Sequence, residues 1–350
     1  MKILSLTLVA LASCQGPHLE QPERPGRTET TAQSSPAALT SVPISIDVVR
    51  DALRRSLPFV EEQGVAWMDG KVPIQEGSPC VSCHHVGYSL WSQKEAQRAG
   101  IEPSPEIFDS LSSRAVEFLA EPGVPRAYAV SSVLLSEERP SEGLVQALRD
   151  LQNEDGHWHA RGQFPSQRRP GSESDSAATL WSLLSLAGTL DTEPFGAVRD
   201  RAFDWLDGQD AGETTEWLAA RLAVAEAFAN EDEAQSIRAQ LLRRQNDDGG
   251  WGWQEGDASE AFSTGQALYA LAFRARGGDL QAALETSRDQ PAFRAVQWLL
   301  EAQHQDGSWP VPSAAVSQEP EESKDVIYHF WGTAWASIGL SRFIAAQTAG

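Results

Sequence analysis

The stretch Gln303-His-Gln-Asp-Gly-Ser-Trp309 has two counterparts earlier in the chain, Gln152-Asn-Glu-Asp-Gly-His-Trp158 and Gln245-Asn-Asp-Asp-Gly-Gly-Trp251. Each copy directly follows an amphipathic helical pattern, such as Arg294-Ala-Val-Gln-Trp-Leu-Leu-Glu-Ala302. In each copy Asp-Gly predicts a turn with a positive φ at Gly, and such a Gly ends the preceding helix. The Trp then offers a broad face to a neighbouring unit. The pattern therefore predicts a repeated helix–turn–helix unit.

A fourth, degenerate copy lies at Arg201-Ala-Phe-Asp-Trp-Leu-Asp-Gly-Gln209, which lacks the terminal Trp. These segments resemble the Gln-Trp repeats of squalene–hopene cyclase and related terpenoid cyclases. The resemblance covers about residues 45–347 and is sharpest from residue 140 onward. It implies an all-α fold, an α/α toroid in which inner helices form a ring and outer helices pack behind them.

Helical periodicity predicts about six hairpins in this domain, each with an outer and an inner helix. The outer helices are predicted near residues 46–62, 104–120, 141–152, 196–208, 232–244 and 290–303. The inner helices are predicted near residues 88–99, 126–138, 175–189, 214–229, 259–275 and 327–345. Six hairpins suffice to close a ring, so we expect the last inner helix to lie beside the first.

The composition excludes some classes of partner. The 350 residues carry 28 Lys and Arg against 49 Asp and Glu, which gives a formal net charge of −21. A protein this acidic repels phosphate backbones, so nucleic acid is not expected as a partner. The hydrophobic content of 41 % includes 12 Trp and is sufficient for a large core.

The N-terminus has the pattern of a bacterial export signal. Residues 1–13 combine a basic start with an apolar run that is too short to cross a bilayer. Leu11-Ala-Ser-Cys14 looks like a lipobox, in which Cys14 becomes lipidated; the alternative is an ordinary signal peptide with an incidental cysteine. Residues 14–44 are rich in Pro, Ser, Thr and Gln and predict a disordered tether. Together these features predict a body anchored by lipid at the periplasmic side of a membrane, the outer one because Gln15 follows the cysteine.

Cys80, Cys83 and His84 form a Cys-x-x-Cys-His segment, which is the spacing of c-type haem attachment. In that arrangement two thioethers hold the porphyrin and the adjacent imidazole binds the iron. Export favours this interpretation, because spare thiols are rare in exported proteins. The alternatives are a Cys80–Cys83 disulfide and a zinc site that includes His84 and His85. The surrounding sequence also resembles exported bacterial proteins that carry this motif ahead of cyclase-like repeats.

His329 and Met68 are the candidates for the sixth ligand of the iron. His329 is predicted at the start of the last inner helix, which ring closure would bring to the mouth where the Cys-x-x-Cys-His segment enters the first inner helix. The alternative is a surface histidine at a helix start. Met68 precedes the motif, unlike the methionine ligand of small cytochromes. Three other histidines are predicted to be solvated in repeat loops rather than bound to metal: His157, His159 and His304.

The sequence lacks the Asp-x-Asp-Asp acid with which the resembling cyclases protonate a terpene, so no catalytic residue is assigned. Glu173, Asp175 and Glu260 lie near predicted helix starts and are interpreted as caps, although a buried carboxylic acid can donate a proton. The zinc of the related prenyltransferases needs a cysteine, and none follows Cys83.

Aromatic residues on the predicted inner helices are interpreted mainly as core, with an apolar ligand cavity as the alternative. They are Trp181, Trp217, Phe262, Tyr269, Trp331 and Trp335. The candidate lining of such a cavity is Asp175, Trp181, Phe262, Tyr328 and Trp331.

The leading hypothesis is a membrane-tethered periplasmic protein with covalent haem c on a cyclase-like toroid. It would act in electron transfer or redox sensing, with a redox protein as partner. An apolar small molecule could bind inside the ring. A second hypothesis is a haem-free lipoprotein that binds a ligand or a protein through the toroid. A cyclase of the squalene–hopene type is the third and least favoured hypothesis.

Overall fold

Outer and inner helices alternate along the chain in the computed structural model. The outer helices are α1 (Ile46–Met68), α3 (Pro105–Leu119), α5 (Glu142–Asp150), α7 (Phe195–Asp207), α9 (Glu231–Arg243) and α11 (Pro291–Ala302). The inner helices are α2 (His85–Arg98), α4 (Ala127–Ser136), α6 (Gly171–Leu186), α8 (Thr215–Ala227), α10 (Ala261–Leu271) and α12 (Glu322–Thr348). No strand occurs among the described residues, so the predicted all-α toroid of six hairpins is confirmed.

The structure describes residues 44–72, 85–121, 123, 126–160, 171–189, 195–273, 290–311 and 322–348. The predicted leader at 1–13, Cys14 and the Cys80–His84 segment lie outside these ranges, as does the tether at 14–44 apart from Ile44. No helix within the described ranges has both the length and the apolar character that a membrane crossing requires.

Outer and inner helices differ in how much of their surface is buried. Outer helix α9 buries one stripe, Ala234, Ile237 and Leu241, whose spacing of three and four residues marks an amphipathic helix. Inner helix α8 is buried along almost its whole length and all around. Its small Ala side chains allow neighbouring helices to approach closely on every side. Burial therefore follows the predicted division into outer and inner layers.

The inner helices form a closed ring. Each packs against the next in the order α2, α4, α6, α8, α10 and α12, and α12 packs against α2. At this junction the Ser92 hydroxyl donates to the Ala334 carbonyl at 3.1 Å. Outer helix α1 lies against both α2 and α12, and its Ser56 hydroxyl is 2.9 Å from that of Ser337. The prediction that the last inner helix lies beside the first is confirmed.

Helix α1 is longer than predicted. It continues from the predicted end at residue 62 to Met68, through Gly64, although Gly has a low helix propensity. A Cβ at Gly64 would lie 2.5 Å from the Ser89 Oγ of α2, so glycine permits the close approach of the two helices. Trp67 then buries its indole almost completely. Packing against α2 outweighs local propensity here, and for this reason the predicted end is wrong.

The three Gln-Trp motifs join one outer helix to another through the same hydrogen bond. The side-chain amides of Gln152 and Gln245 each donate at 2.8 Å to a backbone carbonyl, that of Val198 in α7 and that of Pro291 in α11. The Gln303 amide donates at 2.8 Å to the Ala52 carbonyl of α1. The third motif therefore connects the last outer helix, α11, to the first, α1, and closes the outer layer.

The Trp of each motif is fixed in the same way in all three copies. For example, the Trp309 indole N–H donates to the Leu299 carbonyl at 2.7 Å, and its backbone N–H donates to the Thr333 hydroxyl of α12 at 3.0 Å. The same two contacts recur at the other two motif tryptophans, Trp158 and Trp251. Each loop is therefore tied both to the helix before it and to the inner helix after it.

Candidate functional site at the rim of the ring

The start of α2, which follows the Cys-x-x-Cys-His segment in the sequence, is packed among aromatic side chains. Helix α2 begins at His85, the residue after the predicted iron ligand His84. The His85 ring stacks on Trp67 of α1 with 3.6 Å between ring centroids, and on Phe330 of α12 at 4.6 Å. All three side chains are almost fully buried. The end of α1, the start of α2 and the N-terminal half of α12 therefore meet at His85.

Both candidate sixth ligands are sequence neighbours of residues that stack on His85. Met68 follows Trp67, ends α1 and is buried in the core. His329 precedes Phe330 and is half-buried, with Nε2 at 2.7 Å from the Ser308 Oγ and the ring stacked on Phe59 at 5.1 Å. Burial lowers the pKa of His329, against an opposing effect of the Asp306 carboxylate. Binding to iron through Nε2 would replace the contact with Ser308.

The middle of the ring is filled with aromatic side chains. Trp335 contacts Trp91 at a centroid distance of 4.9 Å and Trp181 at 5.3 Å, while Phe262 and Tyr328 pack against Trp331. The cavity lined by Tyr88, Trp91, Trp181 and Trp335 has a volume of about 10 Å³, which is the space of one water molecule. Trp181, Phe262, Tyr328 and Trp331 thus belong to the packed core.

Glu216 is an interior acid that the sequence reasoning missed. It lies on α8 with no exposed surface, and Oε1 accepts hydrogen bonds from Tyr128 at 2.5 Å and from the Trp181 indole at 3.1 Å. Both partners line the central cavity. The signal was present in the sequence, because α8 has no polar face, and an acid on such a helix must be buried and hydrogen-bonded.

A second interior acid, Glu95 of α2, lies among cations. Glu95 has no exposed surface and its Oε1 is 2.7 Å from Arg98 and 3.4 Å from Arg342 of α12. Arg342 also lies over the Tyr269 ring at 5.1 Å. Burial raises the pKa of Tyr269 to about 12, so the phenol is neutral at physiological pH. The network links α2, α10 and α12 electrostatically.

Glu173 and Asp175, two of the acids interpreted as caps, hold loops, and the third, Glu260, makes no side-chain capping bond to its helix. Glu173 of α6 accepts from the backbone N–H groups of Glu213 at 2.7 Å and Thr214 at 3.2 Å, in the loop that enters α8. Glu260 lies at the N-cap position of α10 and accepts from the Ser263 hydroxyl at 2.8 Å. Asp175 accepts from the Ala160 N–H at 2.8 Å. Asp175 therefore lies beside the first motif loop and not among the aromatic residues in the middle of the ring.

The loop histidines differ in exposure. His159 and His304 are exposed, whereas His157 is buried and stacks on Trp205 with 4.7 Å between ring centroids. The prediction that His157 is solvated is wrong, because the degenerate fourth motif supplies an indole that covers its ring.

The comparisons with known proteins agree with the fold. No model of a known protein family matches the chain. Drimenyl diphosphate synthase of Streptomyces showdoensis is 33 % identical over 188 residues, which cover 48 % of this chain and 31 % of that protein. The chain thus spans about a third of the length of this curated relative.

Solved structures share the fold at low sequence identity. The type II terpene cyclase MstE from Scytonema matches with a TM-score of 0.53 and 15 % identity, over 87 % of this chain and all of that one. A possible member of the GH105 family from Salmonella enterica matches with a TM-score of 0.54 and 12 % identity, over 89 % and 96 % of the two chains. The described body of this chain is an α/α toroid of the kind found in type II terpene cyclases and GH105-type proteins.

Proposed function

We propose that this protein is a c-type haem protein whose toroid holds the haem at its rim, and that it acts in one-electron transfer or redox sensing. The observation that carries the proposal is the Cys-x-x-Cys-His segment, which leads directly into α2 at a rim made of Trp67, His85 and Phe330. Both stacking partners of His85 are buried, so the start of α2 has a fixed position directly after His84 in the sequence.

The residues present fit a covalently bound haem. Cys80 and Cys83 would form the two thioether bonds, and the His84 imidazole would bind the iron on one side. The bound haem would supply a single-electron carrier whose potential depends on its axial ligands and on burial. His85, stacked between α1 and α12, would anchor the segment to the ring.

Export and anchoring belong to the same proposal. Cys14 would carry the lipid, residues 14–44 would form the tether, and the toroid would lie at the periplasmic side of the outer membrane. Covalent haem attachment takes place in that compartment, so the leader and the haem motif support each other. The expected partner is a second redox protein that exchanges electrons at the rim.

The test is expression of the full chain together with c-type maturation machinery, followed by a pyridine haemochrome assay and intact mass. We expect one covalent haem per chain in the wild type and in Cys14→Ser, which removes only the proposed lipid site. The Cys80→Ser, Cys83→Ser double variant should have none. A colourless wild type that contains a Cys80–Cys83 disulfide would refute the proposal and favour the haem-free binding protein.

The sixth ligand can be identified with two further variants. His329→Gln and Met68→Leu each remove one candidate side chain. The variant that lacks the true ligand should change the optical spectrum and the midpoint potential, while the other leaves both unchanged. If neither changes the spectrum, neither residue binds the iron.

One observation favours a second function, polyene cyclisation, namely the match to a protein named drimenyl diphosphate synthase. Glu216, which contacts Tyr128 and Trp181 beside the central cavity, is the interior acid that would donate the proton. The cavity of about 10 Å³ would first have to open. We therefore expect no turnover of squalene-like polyenes; turnover that Glu216→Gln abolishes would establish this function instead.

A further inference from the structure

Three side chains of the first motif loop and helix α6 converge on one point. His157 Nε2 lies 3.0 Å from His159 Nδ1, and His159 Nδ1 lies 3.1 Å from Asp175 Oδ2. The third side of this triangle, from His157 Nε2 to Asp175 Oδ2, measures 3.6 Å. Two imidazole nitrogens and a carboxylate oxygen therefore face one another at the surface of the ring.

These separations match the coordination sphere of zinc. Zinc binds histidine nitrogen and carboxylate oxygen at about 2.0–2.1 Å, so two ligand atoms of a tetrahedral site lie about 3.3 Å apart. The three observed distances, 3.0, 3.1 and 3.6 Å, lie on both sides of that value. An ion could reach all three atoms after side-chain movements of a few tenths of an ångström.

Neighbouring groups position two of the three ligands, His157 and Asp175. Asp155 Oδ1 lies 2.6 Å from His157 Nδ1, and as a carboxylate it accepts a hydrogen bond from Nδ1–H. In this tautomer the lone pair on Nε2 is available to a metal ion. Trp205 fixes the His157 ring by stacking, and the Ala160 N–H holds the second oxygen of Asp175.

The other two motifs show what the same loop contains when it has no such cluster. In each copy the backbone N–H of the motif Trp donates to a threonine hydroxyl, that of Thr179, Thr264 or Thr333. These Trp–Thr pairs define which positions of the three copies are equivalent. Counted from these residues, the positions of His157, His159 and Asp175 are occupied in the second copy by Gly250, Gly252 and Glu260. In the third copy they are occupied by Ser308, Pro310 and His329. The shared frame of the loop therefore does not require the three ligands.

We propose that His157, His159 and Asp175 form a binding site for a divalent transition metal of the zinc class, with the fourth position open to water. The exposed sides of His159 and Asp175 give an ion access from solvent. Three protein ligands and one water are the composition of catalytic rather than structural zinc sites. The site uses none of the residues of the Cys-x-x-Cys-His segment and does not require haem attachment.

The test is calorimetric titration of the full-length, metal-free protein with Zn²⁺. We expect one saturable site in the wild type, with at least about tenfold weaker binding in His159→Gln and in Asp175→Asn. Asp175→Asn retains an oxygen for the Ala160 N–H, so it preserves the loop even if His159→Gln destabilises it. His304→Gln, which removes an exposed histidine from the third loop, is the matched control and should bind as the wild type does.

The cysteine pair is the competing zinc site. In the Cys80→Ser, Cys83→Ser double variant the site proposed here should still bind zinc with unchanged affinity. Absence of saturable binding in the wild type would overturn the proposal. So would binding that survives both His159→Gln and Asp175→Asn, or binding that is lost only with the cysteines.

Discussion

Each Gln-Trp motif depends on the backbone freedom of one residue, its glycine. Gly156, Gly249 and Gly307 have φ values of 106°, 95° and 85°, which confirms the positive φ predicted from Asp-Gly. Each also lies against the outer helix that its loop contacts. A Cβ at Gly307 would lie 2.0 Å from the carbonyl oxygen of Arg55 in α1. Both the conformation and the close contact therefore exclude other residues.

Substitution of Gly307 should reveal both effects. Gly307→Ala places a Cβ against the α1 backbone and forces alanine into a left-handed conformation, so we expect the free energy of unfolding to fall by about 3 kcal/mol. Gly100→Ala is the control, because Gly100 has φ 75° and no atom within 4 Å of its Cβ position. It should cost only about 1 kcal/mol. Equal losses in urea unfolding would show that the contact with Arg55 is unimportant.

At the level of helices, buried carboxyl groups connect one element to the next. Glu61 of α1 is buried and accepts from the backbone N–H of Ser104, the N-cap residue of α3, at 2.8 Å. Burial raises the pKa of Glu61, although the Ser104 hydrogen bond acts in the opposite direction. The folded protein therefore holds this proton to a higher pH than the unfolded chain does. Deprotonation as the pH rises through the folded pKa then reduces stability.

The pH dependence of Glu61→Gln should test this connection. Glutamine is neutral at every pH and keeps an oxygen for Ser104, so the variant should be more stable than the wild type at neutral pH. The difference should disappear below pH 4.5, the ordinary pKa of glutamate, where both side chains are neutral. Thermal unfolding from pH 3 to about pH 8 would measure it. The exposed neighbour Glu62, changed to Gln, should show little gain, and an equal gain there would contradict the argument.

The six hairpins form a ring, and the third Gln-Trp motif closes its outer layer. Gln303 donates to the Ala52 carbonyl of α1 and accepts from Arg55, while the Gln245 motif makes the equivalent contacts between α9 and α11. In an open array of repeats the terminal units contact one neighbour only and open first. Closure gives α1 neighbours on both sides, namely α2 and α12.

Loss of the closing contact should therefore loosen α1 specifically. In Gln303→Ala we expect amide hydrogen exchange in α1 to become about tenfold faster, since hydrogen bonds worth about 1.4 kcal/mol are lost at this junction. Gln245→Ala removes the same chemistry between two other outer helices and should leave exchange in α1 unchanged. If both variants accelerate α1 equally, closure does not protect the first helix.

The sequence was sufficient to predict the helices, their division into two layers and the closure of the ring, because these follow from periodicity and from the repeated motif. It was not sufficient to predict that Trp91, Trp181 and Trp335 fill the middle. An inner helix is apolar all around, so its sequence does not show which side faces the axis. Nor does spacing along the chain bring His157 and Asp175 together, since their contact depends on how the first loop folds over α6.

The threefold bonding pattern of the Gln-Trp loops has a consequence for how this protein can change over evolutionary time. The Gln, Gly, Trp and Thr partners maintain each loop, whereas the residues directly before and after the Trp differ from copy to copy. The chain thus carries three loops with the same frame and with different residues beside the Trp. One loop can acquire new chemistry by mutation while the other two copies preserve the architecture. New function and folding therefore need not depend on the same residues.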